Sequence, residues 1–157
     1  DPATTLLLGT FRTGPPAERV LDFAAGTGVI SAALLQLWPA AKIDMIEIDS
    51  LALAAAQENA PGARGIAGND LSGAAQRHYD LIVSNPPIHE GIRESHRVLE
   101  ALIADAPARL APDGELRIVI RRRVPAAEMI AKAFGDAKVV TEDGRFRVHA
   151  GKKGLRR

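Results

Sequence analysis

Five short apolar runs, at residues 19–23, 42–47, 63–67, 79–84 and 115–120, alternate with segments of helical patterning. That alternation restricts the chain more than any other feature. A strand, a helix and a further strand in succession build a parallel pair, because the helix is the crossover that returns the chain to the starting edge. The predicted fold class is therefore α/β, a doubly wound, mostly parallel sheet. Helices are predicted over 2–12, 29–37, 51–59, 93–110 and 125–134, with Ser50 capping the third. Pro112, Asp113 and Gly114 predict a turn ahead of the fifth strand. Residues 138–141 and 145–149 flank Glu142, Asp143 and Gly144 and predict a closing antiparallel hairpin.

A chain of 157 residues is enough for one domain with a substantial core. The expected organisation is a single domain over 1–157, with an N-terminal helix and connection at 1–16 and a basic tail at 150–157. The chain opens at Asp1 without an initiator Met, as expected of a trimmed or excised domain. The absence of cysteine excludes disulfides, thiolate zinc sites and cysteine nucleophiles, and it fits a reducing, cytoplasmic location. No apolar run is long enough to span a bilayer, and no charged-then-apolar leader is present.

In a doubly wound sheet, ligands bind beyond the carboxyl ends of the strands, near the point where strand order reverses. The residues with chemical potential in this chain follow the apolar runs. Asn85 follows the fourth run and precedes Pro86, Pro87 and Ile88. The prolines fix their own φ angles, and the first pushes Asn85 towards an extended conformation. Such a rigid loop presents the Asn85 side-chain carbonyl and nearby main-chain carbonyls as acceptors. They suit an amino group that is planar and weakly nucleophilic.

The first run ends in Asp22 and Phe23, then Ala24, Ala25, Gly26, Thr27 and Gly28. Gly26 and Gly28 permit positive φ or close approach of a ligand to the backbone. The nicotinamide pattern Gly-x-Gly-x-x-Gly fails, because counting from Gly26 its third glycine position holds Ser31. Asp22 suits a ligand with a positive amino-acid end better than a pyrophosphate. Glu47 ends the second run, where a carboxylate can accept from both hydroxyls of a ribose. Asn69 and Asp70 end the third, and either side chain can reach an adenine amino group. No Gly-x-Ser-x-Gly elbow marks a hydrolase, and His78, His96 and His149 lack metal-ligand spacing.

Together these residues resemble the class I S-adenosylmethionine-dependent methyltransferases. More narrowly, the chain is similar to the catalytic C-terminal half of the RsmC-like 16S ribosomal RNA guanine-N2 methyltransferases. The similar stretches are 6–8, 20–31, 84–91 (including His89), 114–119 and 144–148. The resemblance implies a seven-stranded Rossmann-like sheet with its last strand inserted antiparallel, and S-adenosylmethionine as cofactor. It implies that Asp22 and the turn with Ala24, Gly26 and Gly28 hold the methionine part. Glu47 would hold the ribose and Asn69 or Asp70 the adenine. Asn85, which also borders the cofactor, would hold the target amine within a catalytic loop of Asn85, Pro86, Pro87 and Ile88.

The implied reaction is methyl transfer to an exocyclic amine, guanine N2 of ribosomal RNA. The implied partner is ribosomal RNA or the small ribosomal subunit, with no metal and no membrane. The family also implies a preceding N-terminal half that assists RNA binding. Two positions depart from the family pattern: Ala24 stands where glycine is usual, and Ile88 where an aromatic is usual. Two other functions fit the same loop, glutamine N5 methylation of a release factor and a non-catalytic module binding S-adenosylmethionine or RNA. The run Arg121, Arg122 and Arg123, on the same edge as Asn85, is a candidate contact for RNA phosphate.

Overall fold

A computed structural model describes residues 1–88 and 92–154. His89 and the terminal Arg156 and Arg157 therefore lie outside the described residues. The elements run α1 (Pro2–Gly9), β1 (Arg19–Phe23), α2 (Val29–Leu37), β2 (Lys42–Glu47), α3 (Ser50–Asn59), β3 (Ala63–Ala67), β4 (Tyr79–Ser84), α4 (Arg93–Arg109), β5 (Leu110–Arg121), α5 (Ala126–Phe134), β6 (Lys138–Glu142) and β7 (Phe146–Lys152). The strands form one sheet in the order β3-β2-β1-β4-β5-β7-β6. β1 to β5 are parallel, whereas β7 pairs antiparallel with β5 and with β6. This is the doubly wound α/β sheet expected, with the antiparallel closing hairpin.

Successive strand residues face opposite sides, so each buried strand feeds two cores. Val20 of β1 joins Leu7 of α1, Leu34 of α2 and Ala56 of α3 on one face. Leu21 and Phe23 join Leu99 and Ile103 of α4 and Ile130 of α5 on the other. Burying one such leucine contributes on the order of 2 kcal/mol. The first half of the chain winds outwards from β1 to β3. The chain then crosses to β4, on the other side of β1. The strand order reverses between β1 and β4, so their carboxyl ends, Phe23 and Ser84, mark the switch point. The Ser84 hydroxyl donates to the Phe23 carbonyl at 2.6 Å and ties these two ends together.

Three local expectations are corrected. Asp49 rather than Ser50 caps α3, its Oδ1 accepting from the Leu51 and Ala52 amides at 2.9 and 3.2 Å. A carboxylate one residue earlier reaches both orphan donors of the first turn. The predicted turn before β5 becomes a bulge inside it: Tyr79 pairs with Leu110 and Leu81 with Glu115, leaving the intervening residues of β5 outside the ladder. The basic tail does not begin at residue 150, because β7 runs on through Lys152. Lys153 is 7% exposed and donates from Nζ to the carbonyls of Pro107 and Leu110 at 2.6 and 2.9 Å. Those carbonyls lie at the carboxyl end of α4, where helical carbonyls lack partners of their own.

Candidate active site

The turn after β1 is shaped by left-handed backbone. Ala24, Gly26 and Gly28 have φ of 58°, 57° and 85°. At Gly28 a second restriction applies: a Cβ there would lie 2.9 Å from the Ala56 Cα, so α2 and α3 close together only around glycine. Ala24 adopts the strained region despite its side chain, at a cost of roughly 1 kcal/mol. The turn is held by the neighbouring strand. The Ala25 amide donates to the Ile46 carbonyl at 3.0 Å, and the Gly26 amide to Glu47 Oε1 at 2.8 Å. Glu47 Oε2 accepts from the Asp49 amide at 2.9 Å. Two main-chain donors thus fix the Glu47 carboxylate, and each oxygen keeps lone-pair capacity for another partner.

Asp22 lies beneath this turn and is completely buried. Its Oδ2 accepts from the Ser31 hydroxyl at 2.7 Å, and its Oδ1 has no partner among the described residues. Burial pushes this carboxyl up to about 7, opposed by the Ser31 hydrogen bonds and slightly reinforced by the negative charge of Glu47. An orphaned acid of this kind is costly unless a positive group comes to it.

A cavity of about 240 Å³ opens at the carboxyl ends of the central strands. Phe23 and Ala24 contribute from β1 and its turn, Glu47 and Ile48 from the end of β2, and Gly68 and Asn69 from the end of β3. Pro86 and Pro87 close it on the β4 side, with Ile92, Ser95 and Val98 at the start of α4. Of the two adenine candidates, Asn69 lines this cleft. Asp70 is occupied in a local turn, accepting from the Ser72 amide and hydroxyl at 2.9 and 2.6 Å, which holds its carboxyl below the usual range. The cleft also has an apolar rim that the sequence reading missed: Ile48 is 63% exposed and Ile92 48%. The signal for Ile48 was present, an isoleucine between two acids just past a strand end.

On the far side of the proline loop, Asn85 is half-buried, Pro86 buried, Pro87 exposed and Ile88 half-buried. The Asn85 amide nitrogen donates to Asp1 Oδ2 and to Thr4 Oγ1, both at 3.0 Å. Ile88 lines a second cavity, of about 210 Å³, with His96, Arg121, Arg123, Val124 and Pro125. The arginine run is therefore divided. Arg122 turns to the closing hairpin, 3.5 Å from Glu142 and bonded to the Asp143 carbonyl at 3.3 Å. Arg121 and Arg123 border the cavity beside the loop. β5 carries Arg121 there because it continues three residues past Ile118, the partner of Ser84, and Arg123 follows just beyond its end.

The family profile described as the methyltransferase small domain matches residues 1–150. Ribosomal RNA small subunit methyltransferase C of Actinobacillus pleuropneumoniae serotype 7 (strain AP76) is 40% identical over 157 residues, covering 97% of this chain and 47% of the relative. The protein of the same name from Pasteurella multocida (strain Pm70) is 38% identical over 154 residues, covering 96% and 46%. The chain thus spans about half the length of the curated relatives it matches. Among solved structures, the T. thermophilus 16S rRNA N2 methyltransferase (RsmC), in complex with AdoMet and guanosine, superposes with a TM-score of 0.85 at 25% identity. It matches over 98% of this chain and 43% of that one. A methyltransferase from Pyrococcus furiosus shares the fold at a TM-score of 0.77 and 19% identity, over 96% of this chain and 81% of that one.

Proposed function

Because the chain belongs to the methyltransferase small domain family, we propose that it binds S-adenosylmethionine in the 240 Å³ cleft and methylates an exocyclic amine, guanine N2 of ribosomal RNA. One arrangement carries this reading: Glu47 and Asn69 line the same cleft as Pro86 and Pro87. The residues suited to ribose and adenine thus share a cleft, at the switch point, with the two prolines that follow Asn85. The names of the relatives support ribosomal RNA as the substrate, and such a protein would act on small subunits in the cytoplasm.

The residues fit the cofactor. Glu47 has lone pairs for two ribose hydroxyls, and Asn69 has an amide for the adenine edge, with Ile48 and Ile92 as apolar flanks. The unpaired Asp22 oxygen beneath the turn suits the positive amino-acid end. When bound, the cofactor supplies an electrophilic methyl group on a sulfonium sulfur. The Asn85 side-chain carbonyl and the Pro86 main-chain carbonyl would accept hydrogen bonds from the target amine. That draws the nitrogen towards a pyramidal shape and aims its lone pair, so orientation and electrostatics supply most of the rate. A new N–C bond forms as the S–C bond breaks, and the surplus amine proton leaves to water. Arg121 and Arg123, beside Ile88, would hold phosphates flanking the target.

The test is transfer of tritiated methyl from S-adenosylmethionine to undermethylated small ribosomal subunits, with release factor as the competing acceptor and mapping of the modified base. Label on a guanine N2 is expected. Label on the release factor alone, or no cofactor binding at millimolar concentration, overturns the reading. Asn85→Ala is expected to lower transfer by about 100-fold or more while leaving cofactor binding intact.

A further inference from the structure

Among the described residues, the Asn85 side chain is bonded by Thr4 of α1 and by Asp1, the N-cap of that helix, at the opposite end of the sequence. Both use the amide nitrogen. Nδ2 donates to Thr4 Oγ1 and to Asp1 Oδ2, each at 3.0 Å, and Thr4 Oγ1 lies 3.4 Å from Asp1 Oδ2 as donor. Two amide hydrogens thus meet two acceptors, and the hydroxyl passes its own hydrogen to the carboxylate. The other Asp1 oxygen, Oδ1, caps α1 by accepting from the Ala3 amide at 3.0 Å. One carboxylate therefore serves both the helix and the amide.

The helix carrying these acceptors is firmly seated. Leu7 is fully buried in the core, and Arg117 of β5 donates to the Thr10 carbonyl and hydroxyl at 3.2 and 3.0 Å. Thr4 itself is 9% exposed. A flipped amide would set its carbonyl oxygen against the Asp1 carboxylate, which has no hydrogen to donate. The reversed orientation is thereby disfavoured before any substrate arrives.

We infer that Thr4, together with Asp1, is a positioning residue for the methyl acceptor: it holds the Asn85 amide by its nitrogen and so presents the carbonyl oxygen to the target amine. This rests on the reading of Asn85 as the amine-holding residue. It also deepens that reading, because a site with a fixed acceptor selects a base edge bearing N–H and rejects one bearing a carbonyl at the same place.

The test compares Thr4→Val, which keeps the shape and removes the acceptor, with Thr4→Ser, which restores it. Two quantities are measured: hydrogen exchange of the Asn85 side-chain amide by NMR, assigned with Asn85→Asp, and the single-turnover rate of methyl transfer at saturating S-adenosylmethionine. In Thr4→Val the amide is expected to exchange faster and the transfer rate to fall by about 10- to 100-fold, as for a misplaced catalytic group. The cofactor dissociation constant stays unchanged, and Thr4→Ser recovers both losses. Unchanged exchange and rate in Thr4→Val overturn the inference, as does a rate loss that Thr4→Ser fails to recover. If the wild-type chain transfers no methyl group, the amine-methylation reading fails. The exchange measurement then decides the amide clamp alone, faster exchange supporting it and unchanged exchange overturning it.

Discussion

Two aspartates on neighbouring central strands sit one register step apart and have opposite circumstances. Asp44 of β2 lies opposite Leu21 of β1, and Asp22 lies opposite Met45. Asp44 is fully partnered. Its Oδ1 accepts from Arg64 at 3.1 Å, and its Oδ2 from Arg64 and from the Tyr79 hydroxyl at 3.3 and 2.6 Å. Burial and that bond to Asp44 push the Tyr79 phenol up to about 12. Asp22 is bonded by neutral groups of Ser31 and keeps an orphaned oxygen, with no cation beside it among the described residues. The first acid stitches β2, β3 and β4 together. The second weakens the empty fold as it ionises, and we propose that it serves the ligand that the turn above it would receive. A satisfied polar group and an unsatisfied one, so close together, mark the first as scaffold and the second as a candidate receptor.

The largest expected effect tests the orphaned acid by pH. At low pH, below the ordinary value of 3.8, Asp22 is protonated in both folded and unfolded chains. As pH rises from 3.8 towards about 7, the unfolded chain releases this proton while the folded chain keeps it, so stability falls. Above that value the folded acid ionises too and the fall levels off. At about 1.4 kcal/mol per unit the Asp22 contribution reaches ~4 kcal/mol at most. Urea denaturation between pH 4 and 8 measures it, and Asp22→Asn is expected to flatten that component. If wild type and Asp22→Asn show parallel profiles, Asp22 is not the buried titrating acid. Cofactor binding to the wild type near pH 6 is further expected to release a proton, seen as a dependence of calorimetric heat on buffer ionisation.

A smaller effect should come from the partnered acid. Asp44→Ala leaves the buried Tyr79 hydroxyl without its acceptor and is expected to cost about 2 kcal/mol in urea denaturation. Cofactor affinity should not change. A loss of affinity with intact stability would place Asp44 in the site and erase the contrast. Arg64 is mostly exposed, so its charge contributes little to this figure.

The smallest effect concerns the turn itself. Ala24→Gly relieves the left-handed strain but adds freedom to the unfolded chain, so a gain of about 0.5 kcal/mol is expected. Thermal unfolding measures it. Destabilisation by this substitution would mean that the alanine methyl packs usefully against the turn.

Much of the fold was legible because its signals are local. β1, β2, β3, β4 and α2 match their predicted limits, since each is an apolar run closed by a small residue, an acid, a proline or an amide. The cleft that forms the candidate site was legible in outline for the same reason: Glu47 and Asn69, which line it, are recognisable as strand ends. Other features depend on distant chain. Lys153 resembled tail, yet it completes the carboxyl end of α4, donating to carbonyls 46 and 43 positions away at Pro107 and Leu110. Arg121, Arg122 and Arg123 formed one basic run in sequence, but a strand end and a hairpin send them to different neighbours.

The sequence by itself determined the alternation of strand and helix, the parallel sheet, and the residue types at the strand ends. These follow from apolar periodicity, glycine and proline, whose effects act within a few residues. Only the tertiary structure decided which buried acid is paired and which is left open. It alone also supplied the partners of Asn85, 81 positions away in α1 and 84 away at its N-cap. Hydrogen bonds and charge pairing act over a few ångströms of space. They are set by where the crossovers bring the strands and helices together, and no local pattern in the chain records that.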